Sequence, residues 1–193
     1  MITDIISVIT AFLTVVLFAI EVRESRWQTK FNMQMETMNG IYACMVILGS
    51  RRQWPYWSHQ IDQVDELGPV SDQLAKLNAW LSNPLCCDVG LYNTNEQITP
   101  LYVKKIWFQT KALWPEECAK EAIDFLHQYS LVQNEILIAM NRYAVEHPAP
   151  HKELAFNMVG DNLIPAYKKL IESGCLEKME SYMQKREWWM KLL

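Results

Sequence analysis

The amino-acid sequence predicts an all-α protein with one N-terminal transmembrane helix and a helical cytoplasmic domain. Three observations carry this prediction: an apolar run from Ile5 to Ile20, basic residues on only one side of that run, and apolar residues at helical spacing through much of the rest of the chain. The predicted boundaries are residues 1–22 for the transmembrane anchor and residues 23–193 for the cytoplasmic domain.

The apolar run is almost long enough to cross a bilayer as a helix. At about 1.5 Å per residue it spans about 24 Å, against about 30 Å for the hydrocarbon core. Val22 and residues 1–3 can extend the run, and Arg23 can snorkel to the interface. A cleaved signal peptide and a buried core helix are the alternatives. The acidic Asp4 and the lack of an A-x-A cleavage site disfavour the signal peptide.

Basic residues determine the predicted orientation of this helix. Arg23, Arg26 and Lys30 follow the apolar run, and no basic residue precedes it. Because cytoplasmic flanks carry the excess of Lys and Arg, we expect a single-pass protein of the inner membrane with its C-terminal domain in the cytoplasm.

Polar residues share one face of the predicted transmembrane helix. Ser7, Thr10, Thr14 and Glu21 are spaced three, four and seven residues apart. In lipid, such a face marks a helix–helix contact or the wall of a wet pore. The alternative is that the hydroxyls bond to carbonyls of their own helix. The pore interpretation makes these four residues pore-lining.

Composition limits the classes of function. The net charge of −4 disfavours the strongly basic surface that coats nucleic acid, so no direct DNA binding is expected. The five Cys residues are odd in number, two of them are adjacent, and no CxxC pair with a His partner is present. This pattern fits neither a disulfide framework nor a zinc site. No metal or cofactor is therefore expected, and reduced thiols agree with a cytoplasmic location.

The first helix is expected to continue past the membrane as far as Gly49. Trp27 lies where interfacial aromatic anchors are typical. Residues 41–48 form a second apolar run that is too short to span a bilayer. They are interpreted either as buried turns of a core helix or as a re-entrant membrane segment.

An aromatic and basic loop follows around Pro55. Arg52, Trp54 and Trp57 are candidate partner-binding residues, because Arg and Trp together form stacked surfaces. Packing of the two Trp side chains against the bundle is the alternative interpretation.

Helices are predicted over most of the remaining chain. Ser71 is expected to cap the first, which ends near Leu81 with a core stripe of Leu74, Leu77 and Leu81. After an irregular stretch from residue 84, further helices are expected over residues 100–114, 115–147, 152–159, 162–172 and 176–193, with a break or kink at Gly160–Asp161. The longest has a predicted apolar stripe of Ala119, Ala122, Ile123, Leu126, Tyr129, Leu131, Ile136, Leu137, Met140 and Ala144.

The end of the longest predicted helix carries the favoured one of two Arg–His catalytic candidates; Pro55 interrupts any helix in the other, Arg52 and His59. Arg142 and His147 have four residues between them, a spacing typical of HEPN ribonucleases, where Arg stabilises phosphate charge and His acts as acid or base. Tyr143 stands where HEPN motifs usually have a polar residue. The alternative is a pair of cations that the helix dipole favours at a C-terminal end.

Three stretches in the last third of the chain carry a family resemblance. Residues 134–144 (NEILIAMNRYA), 151–160 (HKELAFNMVG) and 163–170 (LIPAYKKL) resemble a bacterial family of unknown function with one membrane helix and a helical cytosolic domain. The layout of the whole chain is similar to the accessory membrane proteins of type VI-B CRISPR systems. This resemblance implies a divergent HEPN-like bundle, a ring-like membrane pore and a role in antiphage defence, with Arg142 and His147 at the HEPN motif.

The leading hypothesis is an oligomeric effector of antiphage defence that depolarises the inner membrane through a pore lined by the N-terminal helices. Its expected partners are the lipid bilayer, further copies of the chain, and a defence-system protein or nucleic-acid sensor. Two alternatives remain open: a membrane-tethered HEPN-type ribonuclease, and a membrane anchor that binds a protein through the aromatic loop. An enzyme is the less favoured reading, because no other catalytic arrangement is visible.

Overall fold

Helices make up almost all of the chain that the computed structural model describes. It describes residues 2–49, 70–82, 98–146, 154 and 157–184, with the side chains of residues 2–9, 70–73, 76 and 142–146 excepted. The α-helices with described bounds are α1 (Ile2–Gly49), α2 (Val70–Ser82), α3 (Pro100–Leu113), α4 (Glu116–Glu146), α5 (Ile164–Glu172) and α6 (Cys175–Gln184), and a π-helical turn (Val159–Leu163) leads into α5. The all-α prediction is confirmed for these residues.

The first helix runs without a break from Ile2 to Gly49, as predicted for its C-terminal part. The predicted domain boundary after residue 22 therefore falls inside a continuous helix. Among the described residues, no helix meets the combined requirement of length and apolarity for a membrane crossing.

The core lies around α4, against which α2, α3, α5 and α6 all pack. The C-terminal part of α1 packs on α3 and closes the bundle. Residues 41–48 of α1 belong to this core, so the core-helix interpretation of that apolar run is confirmed. The buried members of that run are Ile41, Ala43, Cys44, Ile47 and Leu48.

A polar seam aligns α1 with α3. The amide Nε2 of Gln34 donates to the carbonyl oxygen of Leu113 at 3.0 Å. Lys105 Nζ lies 2.8 Å from Glu36 Oε1. Near Gly40 the two helices approach so closely that a methyl group there would lie 2.7 Å from Ile106 Cδ1. Since Leu113 lies at the end of α3 and Ile106 near its middle, the two helices are antiparallel.

Local contacts determine where α3 begins and where it ends before the turn into α4. Thr99 caps α3, because its Oγ1 accepts a hydrogen bond from the Tyr102 amide at 3.1 Å. Trp114 takes an extended conformation and ends the helix. Its buried indole donates from Nε1 to the Met179 carbonyl at 3.1 Å, which ties the corner to α6.

Buried polar groups of α4 fix the end of α2. The Tyr129 hydroxyl donates to the Leu81 carbonyl at 2.7 Å. Gln133 Nε2 donates to the carbonyls of Ile98 at 2.7 Å and Leu81 at 3.3 Å. The predicted core stripe of α2 is confirmed, since Leu74, Leu77 and Leu81 are buried. The predicted cap is wrong: a helix capped by Ser71 would begin at Asp72, whereas α2 begins two residues earlier, at Val70, and Ser71 lies within its first turn.

The predicted break or kink at Gly160–Asp161 is a π-helical departure from α geometry, and the helix does not end there. Gly160 lies inside the π-helical turn, which continues directly into α5. The Ile164 amide bonds to the Val159 carbonyl, five residues back, and Pro165 follows with no N–H to donate. The wider turn accommodates the proline without ending the helix. Gly174, with φ of 65°, ends α5 as predicted.

Candidate functional site

The most unusual surface belongs to residues 10–20 of α1, which we call the apolar segment. Its large apolar side chains contact little of the bundle: Phe12 is 68% exposed and Phe18 is 66% exposed. The other exposed large residues in this segment are Leu13, Val15, Val16 and Leu17. At about 100° per residue these side chains point in every direction except that of Thr10 and Thr14. A helix that is apolar on almost all sides requires a non-aqueous environment or helical neighbours.

The predicted pore-lining residues lie along this same helix. Thr10, Thr14 and Glu21 are exposed, and their spacing places them on one face of α1. Ser7 is part of α1, but its side chain lies outside the description. The Thr14 hydroxyl donates to the Thr10 carbonyl at 2.9 Å. Its proton is therefore used within the helix, although its oxygen remains an acceptor.

A polar stalk, residues 21–30 of α1, separates the apolar segment from the bundle. Almost all of its side chains are exposed. Packing begins at its bundle end, where Trp27 stacks on Phe31 with ring centroids 5.3 Å apart and Lys30 Nζ lies 5.5 Å from the Tyr182 ring. At about 1.5 Å per residue the stalk holds the bundle about 15 Å beyond the apolar segment.

The catalytic candidate pair lies only in part within the described structure. Arg142 is in the last turns of α4, and its side chain lies outside the description. His147 lies outside the described residues altogether. The same holds for the partner-binding candidates Arg52, Trp54 and Trp57. These residues stay predictions from the sequence.

A methionine-rich groove lies between α1 and α6, and no pattern in the sequence predicted it. It has a volume of about 250 Å³. Its walls are Phe31, Met35, Met38, Asn39, Tyr42, Glu180, Met183 and Gln184. The Tyr42 hydroxyl donates to Glu180 Oε1 at 2.7 Å across one wall. In the sequence, the spacing of Met35 and Met38 indicates that both lie on one face of α1. It does not indicate a groove, because the α6 residues opposite them are about 140 residues away in the chain.

Cys44 and Cys175 are suited to packing and not to nucleophilic chemistry. Cys44 is fully buried, and burial raises the pKa of its thiol to about 12. Burial also raises the pKa of Cys175, whose Sγ lies 3.2 Å from the Cys118 carbonyl oxygen. Within the described residues no group of three or more His, Cys, Asp or Glu side chains is placed to hold a metal ion.

An aromatic and basic cluster on α3 and α4 was likewise not predicted from the sequence. The rings of Trp107 and His127 stack at 5.1 Å with planes 16° apart. Lys111 Nζ lies 4.9 Å from the centroid of Trp107. Phe108 contacts Trp107 at 4.9 Å and is itself 53% exposed. The cluster depends on the α3–α4 packing, so neither helix alone reveals it.

Comparisons with known protein families, with curated proteins and with solved structures found no match for this chain.

Proposed function

We propose that this protein is an oligomeric membrane effector whose apolar segment lies in the lipid bilayer. The exposure of large apolar side chains around residues 10–20, on all sides except that of Thr10 and Thr14, carries the proposal. A continuous apolar surface of this kind is unstable in water, and it fits lipid tails without needing a specific partner on each face.

The length of the apolar run suits a thin or locally thinned bilayer. The run from Ile5 to Ile20 spans about 24 Å, which is about 6 Å less than a typical hydrocarbon core. Such a mismatch costs only fractions of a kcal/mol per Å, and it favours helix–helix association. Arg23 lies one turn beyond the run, at the cytoplasmic side that the positive-inside rule predicts.

The pore proposal rests on the polar face of α1. One helix cannot enclose a channel, so several copies must associate, most simply in a ring. Thr10 and Thr14 would face the lumen, and Glu21 would lie at its cytoplasmic mouth. A carboxylate there avoids lipid, where it would be costly, and a ring of carboxylates favours cations. The role in antiphage defence is supported by the resemblance of the sequence alone.

The stalk agrees with this arrangement. It separates the bundles from the membrane surface by about 15 Å. Ions would therefore reach the mouth of a ring between the stalks and would not need to pass through the bundles. In this arrangement the outer surfaces of the bundles can bind a molecule that activates the pore.

The test combines membrane location, assembly and depolarisation in cells. We expect the chain to resist extraction by carbonate, to crosslink into oligomers and to depolarise cells on overexpression. The double variant Thr10→Leu with Thr14→Leu should stay in the membrane but lose depolarisation by about tenfold or more, since it removes the polar lining.

The matched control is Val15→Leu with Val16→Leu, which changes the opposite side of the same helix. This variant should depolarise cells like the unchanged protein. If the chain is extracted by carbonate, the membrane proposal fails. If the Thr10 and Thr14 variant still depolarises cells, or if the protein in detergent is monomeric, the pore proposal fails and a simple anchor remains.

A further inference from the structure

The outward surface of α3 differs in charge from the chain as a whole. The whole chain carries a net charge of −4, yet α3 contains three lysines and no acidic residue. Leu101, Lys104, Phe108 and Lys111 are all exposed and recur at helical spacing, and we call these four residues the basic face. The matching outward row of α4 adds Lys120 and His127, together with the acidic Glu117 and Asp124, so the positive charge belongs to α3 itself.

The exposed ring of Phe108 is held in place from beneath. It contacts Trp107 at 4.9 Å with planes 44° apart. Trp107 in turn is braced by the His127 ring at 5.1 Å. A ring that is 53% exposed but fixed at its base loses little freedom when a second flat group stacks on it.

We propose that the basic face binds single-stranded nucleic acid. Proteins that bind single strands combine lysines that contact the backbone with aromatic rings on which bases stack. Phe108 would supply the stacking platform, and Lys104 and Lys111 would contact phosphates on either side of it. Lys105 contributes less, because it is paired with Glu36 at 2.8 Å. This proposal goes beyond the membrane function and would give the effector a trigger.

A membrane surface is the weaker candidate for this face. The end of α3 nearest the apolar segment is Leu113, which is bonded to Gln34 of α1. Gln34 lies about 21 Å along the helix from Ile20. Exposed charges are screened beyond about 10 Å at ordinary ionic strength, so lipid headgroups at the end of the apolar segment would be too far away.

A duplex is also the weaker candidate, because its bases are already stacked and paired. An exposed aromatic ring gains most from unpaired bases. The overall acidity of the chain argues against coating a long duplex but not against a short local contact.

The experiment measures binding of fluorescent oligo(U) and oligo(dT) to the full-length protein in a non-ionic detergent, by fluorescence anisotropy at several salt concentrations. Two phosphate contacts predict a slope of about −1.4 for log K against log salt concentration. Lys104→Gln should reduce that slope by about 0.7. Phe108→Ala should weaken binding by about 5-fold to about 100-fold.

Two matched controls lie on α5. Lys168→Gln removes an exposed lysine, and Ile171→Ala truncates an apolar side chain that is 50% exposed, close to the exposure of Phe108. Both should leave affinity and salt slope unchanged. A hairpin duplex of the same length should compete at least about tenfold less well than the single strand.

Three results would overturn the proposal. The first is no binding of either oligonucleotide at low salt. The second is equal loss of binding in the α3 and α5 variants, which would place the site elsewhere. The third is either of two signs of a different partner. If Phe108→Ala changes the oligomeric state in gel filtration, the face belongs to a second copy. If anionic lipid competes with the oligonucleotide, the face belongs to a membrane.

Discussion

At the scale of single residues, Cys44 shows how position decides chemistry. It lies on α1 within the core, and burial raises the pKa of its thiol from about 9 to about 12. The thiolate is the reactive form, so at pH 8 only about one Cys44 in ten thousand would be ionised. In the unfolded chain, the ordinary pKa applies and about one in ten would be ionised.

We predict that Cys44 resists alkylation in the folded protein and reacts readily after unfolding. Iodoacetamide at pH 8 followed by peptide mass spectrometry gives the extent of modification at each cysteine. The half-buried Cys118 serves as the comparison in the same sample. Modification of Cys44 as fast as that of Cys118 in the folded protein would contradict the burial.

The same group makes the folded state sensitive to alkaline pH. Because the folded pKa lies above the unfolded one, the contribution of Cys44 to stability is full below about pH 9 and falls progressively between pH 9 and 12. Replacing Cys44 with Ala creates a small cavity but removes this contribution. The stability of the variant should therefore depend less steeply on pH in that range, as urea titrations at each pH would show.

At the scale of elements, the close approach of α1 to α3 depends on Gly40. An added methyl group would lie 2.7 Å from Ile106 Cδ1 and 3.1 Å from the Tyr102 hydroxyl. Ile106 is itself fully buried, so it has little room to move. In contrast, an added methyl group at Gly160 in the π-helical turn meets nothing within 4 Å.

We predict that Gly40→Ala destabilises the bundle while Gly160→Ala does not. Both changes gain up to about 1 kcal/mol of helix propensity, but only the first overpacks an interface, at about 1–3 kcal/mol. The unfolding free energies of the two variants should therefore differ by about 1–3 kcal/mol in urea titrations. Equal stabilities would show that α1 and α3 can separate at this point without cost.

At the scale of the whole molecule, the bundle and the apolar segment are separate in their contacts. The buried core includes no residue of the segment; on α1 its first fully buried apolar member is Met38, with Phe31 packed at its edge. The described segment therefore adds apolar surface to the protein without adding to the core.

We predict that deletion of residues 2–20 leaves the bundle folded and moves the protein from the membrane fraction to the soluble fraction. Its unfolding transition should stay within about 0.5 kcal/mol of that of the full chain, since the described side chains among the deleted residues, 10–20, do not support the core. Circular dichroism and fractionation after cell lysis measure the two effects. Loss of cooperative unfolding would show that the segment belongs to the bundle.

The sequence by itself determined the helical class, most helix ends and the apolar run. These depend on local chemistry: the prolines at helix starts and Gly174 at a helix end act within a few residues of where they stand. The core stripe of α2 was also readable, because that helix presents one side to α4.

Only the tertiary structure decided which side chains of α4 are buried. A single apolar stripe predicted Leu131 and Leu137 in the core, yet they are 38% and 36% exposed. Phe125, Val132 and even Gln133 are buried instead. Four helices pack around α4, so its buried surface is broader than one stripe and follows its neighbours. The groove between α1 and α6 and the Trp107–His127 stack likewise unite residues from different helices, which no local pattern contains.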